Sequence, residues 1–263
     1  MSSPAPVIGS APPHSSSHHL HLPTVPQAFA SLLRTIVVAL FLLTFLLQPY
    51  LIPSESMERT LLVGDFLLVD KEIYAPVGTS PHLLDWLEPH RDVARGDIVV
   101  FHHPNPPLLV KRVVGVPGDR IRIANGIVTV NGSPLVEPYA AFEPTLRPAS
   151  PEEFPGKVYS DYQVDIAWWR QMQGLTQNGE LVVPAGQYFV LGDNRNHSFD
   201  SRFWGFVPRQ AIIARPLVIY FSLRRPSATD VNQPPDDRLG HDTELSARLA
   251  SFARWKRIFH IVH

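Results

Sequence analysis

No charged residue occurs between Thr35 and Ser54, and the centre of that stretch, Ile36 to Leu47, is almost wholly apolar. A chain cannot bury such a run in a small β domain without giving up its polar surface, so the run constrains everything that follows it. About 20 helical residues cross a hydrocarbon layer of roughly 30 Å. Extending the run back to Ala28 reaches that length, with Arg34 placed where its stem can snorkel to the interface. The pattern predicts a transmembrane anchor over residues 28–52. The rival reading is a cleaved secretory signal, since the strictly apolar centre is short. Against it, the continuation Gln48-Pro49-Tyr50-Leu51-Ile52-Pro53 offers no small-x-small cleavage site. Arg34 precedes the run and Glu55 and Glu58 follow it, so the positive-inside tendency puts the short leading tail in the cytoplasm and the bulk of the chain outside.

Residues 1–27 are rich in Pro, Ser and His without apolar periodicity, and read as a disordered tail. The His18-His19-Leu20-His21 cluster within them reads as a solvated tract, and no metal site is expected. Beyond the anchor the pattern changes to short β-branched and aromatic runs bounded by Gly, Pro, Asn or Asp. These are Phe66–Val69, Ile98–Phe101, Leu108–Val116, Ile121–Ile123, Ile127–Val130, Tyr188–Leu191 and Leu217–Phe221, with Asn125-Gly126 and Asn131-Gly132 as turn pairs. The expected fold is mainly β, with many short strands over residues 53–224. Residues 137–180 interrupt the pattern. They read as an insertion with a helix around Ile166–Trp169. Residues 225–244 read as a polar linker. Residues 245–263 place Leu249, Phe252, Trp255, Phe259 and Val262 near helical spacing among Arg248, Arg254, Lys256 and Arg257. That tail reads as a basic amphipathic helix on an anionic leaflet or, equally, as a frayed end.

Composition excludes some chemistry. The chain of 263 residues has no cysteine, hence no disulfide, thiolate metal site or cysteine nucleophile. Its formal net charge of −1 gives no ground for a nucleic-acid partner.

Two segments can carry a reaction. Pro53-Ser54-Glu55-Ser56-Met57 supplies hydroxyls where the apolar run ends, and Val110 to Asp119 supplies Lys111 inside a strand-like run. A serine hydroxyl is a poor nucleophile until a base takes its proton. None of the twelve histidines lies in a hydrolase signature, and Gly-x-Ser-x-Gly is absent. A lysine can serve only when neutral. Its ordinary pKa of about 10.4 must then fall by several units, at a cost to the fold of roughly 4–5 kcal/mol. On a strand, Leu109, Lys111 and Val113 share one face, which would desolvate an inward amine. A lysine on an edge strand facing water is the plainer alternative.

The chain resembles the bacterial type I signal peptidases, membrane-anchored Ser–Lys endopeptidases of family S26. Ile52 to Met57 with Thr60 to Asp65 matches that family's nucleophile segment, Lys111 to Asp119 its lysine segment, and Gly192 to Pro208 a third box. The resemblance spans roughly Arg34 to Leu223. It implies the β fold shared with self-cleaving repressors, carrying an inserted subdomain behind an N-terminal transmembrane helix. It also implies a serine endopeptidase that removes signal peptides from exported preproteins through an acyl-enzyme, at the cell membrane, with the catalytic domain on the extracytoplasmic side. Carried over residue by residue, Ser56 is the nucleophile and Lys111 the general base. Ser54 and the Ser56 amide stabilise the oxyanion, and Ser198 orients the lysine. Asp200 and Arg202 form a supporting ion pair with Asp193 and Arg195 beside them, and Met57 lines the pocket for a small side chain. The implied partners are signal peptides and the lipid bilayer; no cofactor is needed. Two departures stand out. Arg59 occupies a position where the family usually has proline, and His197 one where asparagine is frequent. A self-cleaving soluble Ser–Lys protease and a non-catalytic membrane-anchored β module are the alternatives.

Overall fold

The computed structural model describes residues 24–45, 47–71, 73–74, 91–104, 108–142, 153–155, 164–224 and 252–262. The histidine cluster, nearly all of the leading tail and the whole 225–244 linker lie outside them. The coordinates divide into two units, residues 1–41 and residues 42–263.

Helix α1, Val25–Phe45, begins in the first unit and its last turn falls in the second. Its large side chains point outward all round: Phe29, Leu32, Ile36, Val37, Leu40 and Phe41 are each exposed. Among the described residues no helix is long and apolar enough to cross a membrane. The apolar stretch expected as one span over 28–52 is divided. The helix stops at Phe45, and Leu47–Leu51 forms strand β1, paired in antiparallel register with β2, Asp65–Asp70. Pro49 and the β-prone Tyr50 come four and five residues after the helix end, and proline disfavours a continued helix while tolerating an edge strand.

The second unit is mainly β. All seven expected strands are present, beginning after β2 with β3 (Ile98–His102), β4 (Leu108–Gly115), β5 (Arg120–Ala124) and β6 (Ile127–Val130), and they are joined by short ones that were not expected, the first being β7 (Ser133–Pro134). After them come β8 (Glu153–Phe154), helix α2 (Ile166–Leu175), β9 (Thr176–Gln177), β10 (Glu180–Val182) and β11 (Gln187–Leu191). Helix α3 (Ser201–Trp204), β12 (Val207–Pro208), the long β13 (Ile212–Ser222) and β14 (His260–Ile261) complete it. The larger antiparallel sheet runs β1-β2-β13-β3-β4-β11-β12, with β14 also on β13. Strand β13 pairs with β3 at its start and with β2 further on, and the register slips along it curl the sheet. The smaller sheet runs β7-β6-β5-β10-β9, with β8 on β5.

Strand alternation explains how the two sheets share cores. On β11, Phe189 and Leu191 enter a cluster with Ile121, Leu181 and Trp168, while Tyr188 and Val190 enter another with Val99, Phe101 and Val113. A third cluster, with Ile52, Met57, Leu61, Leu67 and Ile219, lies beneath β1 and β2. The hairpin turns at Asn125-Gly126 and Asn131-Gly132 have positive φ at both residues, as type I′ turns require, and so does Asn178-Gly179 between β9 and β10. Helix α2 is capped by Asp165, whose side chain accepts from the Trp168 N–H.

Segment 252–262 differs from the expected amphipathic helix. Residues Trp255–Arg257 form a single 3₁₀ turn, and His260–Ile261 pairs with Ile219–Val218 of β13. The apolar spacing read as helical is met by Ala253 and Val262 turning inward while Trp255 and Phe259 stay exposed. The unpaired backbone edge of β13 offers a partner that an isolated short helix lacks.

Phe189 is fully buried where the two sheets meet. Phe189→Ala should lower the unfolding free energy by about 3–5 kcal/mol, measured by urea titration of the purified chain.

Candidate active site

The turn that carries Ser56 begins as β1 leaves the sheet at Pro53. Glu55–Met57 forms one 3₁₀ turn with Ser54 at its N-cap in extended conformation, and Ser56 and Met57 face inward. The next four residues close a second turn: Thr60 N–H donates to the Met57 carbonyl at 3.1 Å, with Glu58 at φ −57°, ψ 142° and Arg59 at φ 90°. These angles define a type II turn, whose third position favours glycine. An arginine there is held by its side chain, which donates from Nη1 to the Ala140 carbonyl at 2.7 Å. The turn is thus tied down by the residue that stands where the family usually has proline.

Strand β4 brings Lys111 to this turn. Its Nζ donates to Ser56 Oγ at 2.5 Å, and only 2% of the residue is exposed. Val99 lies opposite it in the register, with Leu109 and Val113 packed in the core two positions away on either side. Burial pulls its pKa down from the ordinary 10.5 to about 8, against the attraction of Asp200 and Asp193, with Arg202 adding to the fall. Ser54 Oγ lies 3.4 Å from Ser56 Oγ.

The third box supports both partners. The Asn194 N–H donates to the Ser56 carbonyl at 3.1 Å. Asp200 is wholly buried and receives Arg202 Nε at 2.8 Å, Arg202 Nη2 at 2.9 Å and the Gly192 N–H at 3.1 Å. Burial alone would raise its carboxyl, yet the Arg202 guanidinium and these hydrogen bonds hold it below the usual range. Asp193 is bound in the same two-pronged way, but by Arg112 rather than Arg195: Nε and Nη2 at 2.9 and 2.8 Å. Arg195 pairs with Glu137 at 2.8 and 2.5 Å, and Tyr139 stacks on Arg112 at 3.8 Å. His197 is exposed.

Ser198 departs from expectation. It is 7% exposed and makes no hydrogen bond to Lys111 among the described residues; its hydroxyl instead lies close enough to Asp200 to help hold that carboxyl low. It packs on Gly192, where a Cβ would lie 2.2 Å from Ser198 Oγ and 2.4 Å from the Ser56 carbonyl. Glycine is therefore required at 192 for the third box and the nucleophile turn to meet. Sequence reasoning did not single out Gly192, Arg112 or Glu137. For Arg112 the missing signal was available, because a charge next to Lys111 inside an apolar strand must find a counter-charge.

Beside Ser56 a cavity of about 20 Å³ opens between Tyr50, Ile52, Met57, Leu108 and Val110. A space of that order holds little more than one water or methyl group. Among the described residues strand β4 faces it with a free edge: β3 pairs with Leu108–Arg112 on one side, while β11 begins to pair on the other only at Arg112.

A family model described as signal peptidase, peptidase S26, matches residues 26–221. The chain is similar to a signal peptidase I of Leptolyngbya laminosa, 36% identical over 232 residues that cover 85% of this chain and 92% of the relative. Signal peptidase I of Aquifex aeolicus is 33% identical over 249 residues, covering 80% and 89%. That of Pseudomonas fluorescens is 34% identical over 236 residues, covering 83% and 79%.

Two outcomes follow from this geometry. Lowering the Lys111 pKa means the fold disfavours its charged form, a penalty complete below pH 8 and gone above 10.5. Lys111→Met should therefore raise the unfolding free energy at pH 7 by roughly 1–3 kcal/mol, with the gain shrinking as pH approaches 10. Arg59→Pro cannot adopt φ 90° and should lose about 1–3 kcal/mol. Arg59→Gly should stay within about 1 kcal/mol of the parent. Denaturant unfolding checks each.

Proposed function

The chain belongs to the signal peptidase family, peptidase S26, and we propose that it cuts signal peptides from exported preproteins with Ser56 as nucleophile and Lys111 as base. The observation that carries this reading is a lysine amine 2.5 Å from a serine hydroxyl, with both residues buried. A pKa of about 8 leaves roughly a tenth of the amine neutral at pH 7, enough to act as a base.

The substrate lies extended along the free edge of Leu108–Lys111 and adds a strand by main-chain hydrogen bonds. Its last signal-peptide residue places a small side chain in the cavity floored by Met57. Neutral Lys111 Nζ takes the Ser56 proton as Oγ attacks the scissile carbonyl carbon. The Ser56 N–H and the Ser54 hydroxyl, rotated from its place 3.4 Å from Ser56 Oγ, donate to the tetrahedral oxyanion; such a donor is worth about 3–4 kcal/mol in other hydrolases. The lysine returns its proton to the leaving nitrogen, the C–N bond breaks, and the mature chain departs. Water, losing a proton to the same amine, then cleaves the Ser56 ester and frees the signal peptide. Ser198 is buried beside Asp200 in the box that packs on the Ser56 turn, which supports a role for its hydroxyl as acceptor for the lysine during this cycle.

Helix α1 is read as the membrane-inserted segment. Its 21 residues extend about 31 Å, and its large apolar side chains Phe29, Leu32, Ile36, Val37 and Leu40 are exposed. The charge order around it puts the leading tail in the cytoplasm and the peptidase outside. Within the peptidase unit, Trp255 and Phe259 are 54% and 78% exposed and are side chains suited to a lipid–water boundary.

Cleavage of a purified preprotein in detergent micelles tests the reading. Ser56→Ala and Lys111→Ala should each lower kcat at least about 10³-fold while keeping a cooperative unfolding transition. For the parent enzyme kcat/KM should rise with pH through about 8, because only the deprotonated amine acts. Substantial activity in either variant, or a profile flat from pH 6 to 9, rejects the pair.

A further inference from the structure

We infer that Arg257, in the segment that pairs with β13, is a positioning residue for the nucleophile turn. The inference rests on Ser56 as nucleophile and goes beyond it. Arg257 lies 201 residues from Ser56 in sequence, yet its guanidinium reaches the stretch that begins four residues after it. Nη2 donates to the Thr60 carbonyl at 2.9 Å and to Asp65 Oδ2 at 2.6 Å, while Nε donates to Asp65 Oδ1 at 3.2 Å. Asp65 is fully buried and also accepts from Ser222 Oγ at 2.6 Å and the Leu62 N–H at 2.8 Å. Four donors thus converge on one carboxylate, and removing the guanidinium leaves a buried charge without its counter-ion.

Thr60 makes this contact bear on catalysis. Its N–H closes the type II turn on Met57, and its hydroxyl donates to Asp193 Oδ2 at 2.5 Å. Its carbonyl is the one held by Arg257. The residue therefore joins the turn that presents Ser56, the Asp193–Arg112 pair beside Lys111, and the distant segment. Neighbouring contacts hold that segment in place: Arg254 donates to the carbonyls of Val63 and Leu223, and Phe259 and Val262 N–H groups donate to Ile219 and Leu217 at 2.7 and 2.9 Å. Loss of the guanidinium frees the Thr60 carbonyl and lets the turn relax, which moves Ser56 Oγ away from Lys111 Nζ. Substrate contacts along β4 are untouched, so the defect falls on the chemical step.

The test uses the full chain in detergent micelles with Arg257→Ala and Arg257→Lys. Three readouts are taken: kcat and KM on a preprotein, the rate of labelling by a serine-acylating β-lactam-type probe, and the thermal unfolding midpoint. Adduct mapping to Ser56 in the parent enzyme checks the underlying reading by itself. With that adduct in place, Arg257→Ala, folded at the assay temperature, should lose about tenfold to a hundredfold in kcat. Its labelling rate should fall in parallel, with KM changed less than about threefold. Arg257→Lys can serve Asp65 or Thr60 but not both, and should fall between the two. If Arg257→Ala fails to fold, the lysine variant decides, through the same parallel loss in kcat and labelling. Parent-like kcat and labelling in a folded variant, even with a lowered midpoint, would show a purely structural contact and overturn the inference.

Discussion

A buried lysine amine is neutral near pH 7 only when its charged form is made costly, and the surroundings of Lys111 impose that cost. Lys111 is desolvated between apolar strands, which lowers its pKa to about 8. Two carboxylates stand close enough to undo the effect. Each is instead occupied: Asp200 by Arg202 and Asp193 by Arg112, both through paired contacts in a buried setting. The arginines stabilise the carboxylates and shield the amine from them, so the ion pairs matter for the site's electrostatics more than for the stability of the fold.

The hydroxyl is placed with equal redundancy. Asn194 holds the Ser56 carbonyl, Arg59 holds the far side of the turn to Ala140, and Thr60 is bonded to both Asp193 and Arg257. These contacts come from sequence positions as distant as 140 and 257, which is why a short turn with one residue at an unfavourable φ can keep its geometry. Segment 137–142 contributes through Glu137, Tyr139 and Ala140, so part of what looks like an interruption of the β pattern forms the outer wall of the site.

Much of this was legible in the residues. Short β-branched and aromatic runs located seven of the fourteen described strands, Asn-Gly pairs located two hairpins, and the apolar neighbours of Lys111 pointed to a dry amine. What was hidden was non-local. No local pattern tells that Tyr188–Leu191 bridges two cores, that Arg112 rather than Arg195 meets Asp193, or that Gly192 is needed for a close approach. The amphipathic spacing of Leu249 to Val262 misled for the same reason. Near-helical periodicity in a short segment is outweighed by an open strand edge, here on β13, that only the folded sheet supplies. The end of α1 was misplaced because apolarity alone does not register the break that Pro49 imposes.

The unpaired margin of β4 beside Ser56 has a bearing on which polypeptides survive export intact. A margin of this kind accepts a chain through its peptide groups, and a chain can present those groups only where they are not already engaged in its own helix or sheet. A secreted domain that has folded withholds its scissile-looking Ala-x-Ala sequences simply by having satisfied its backbone. If the substrate binds along that edge as proposed, discrimination between leader and cargo is delegated in part to the cargo, which withdraws its peptide groups as it acquires its own structure.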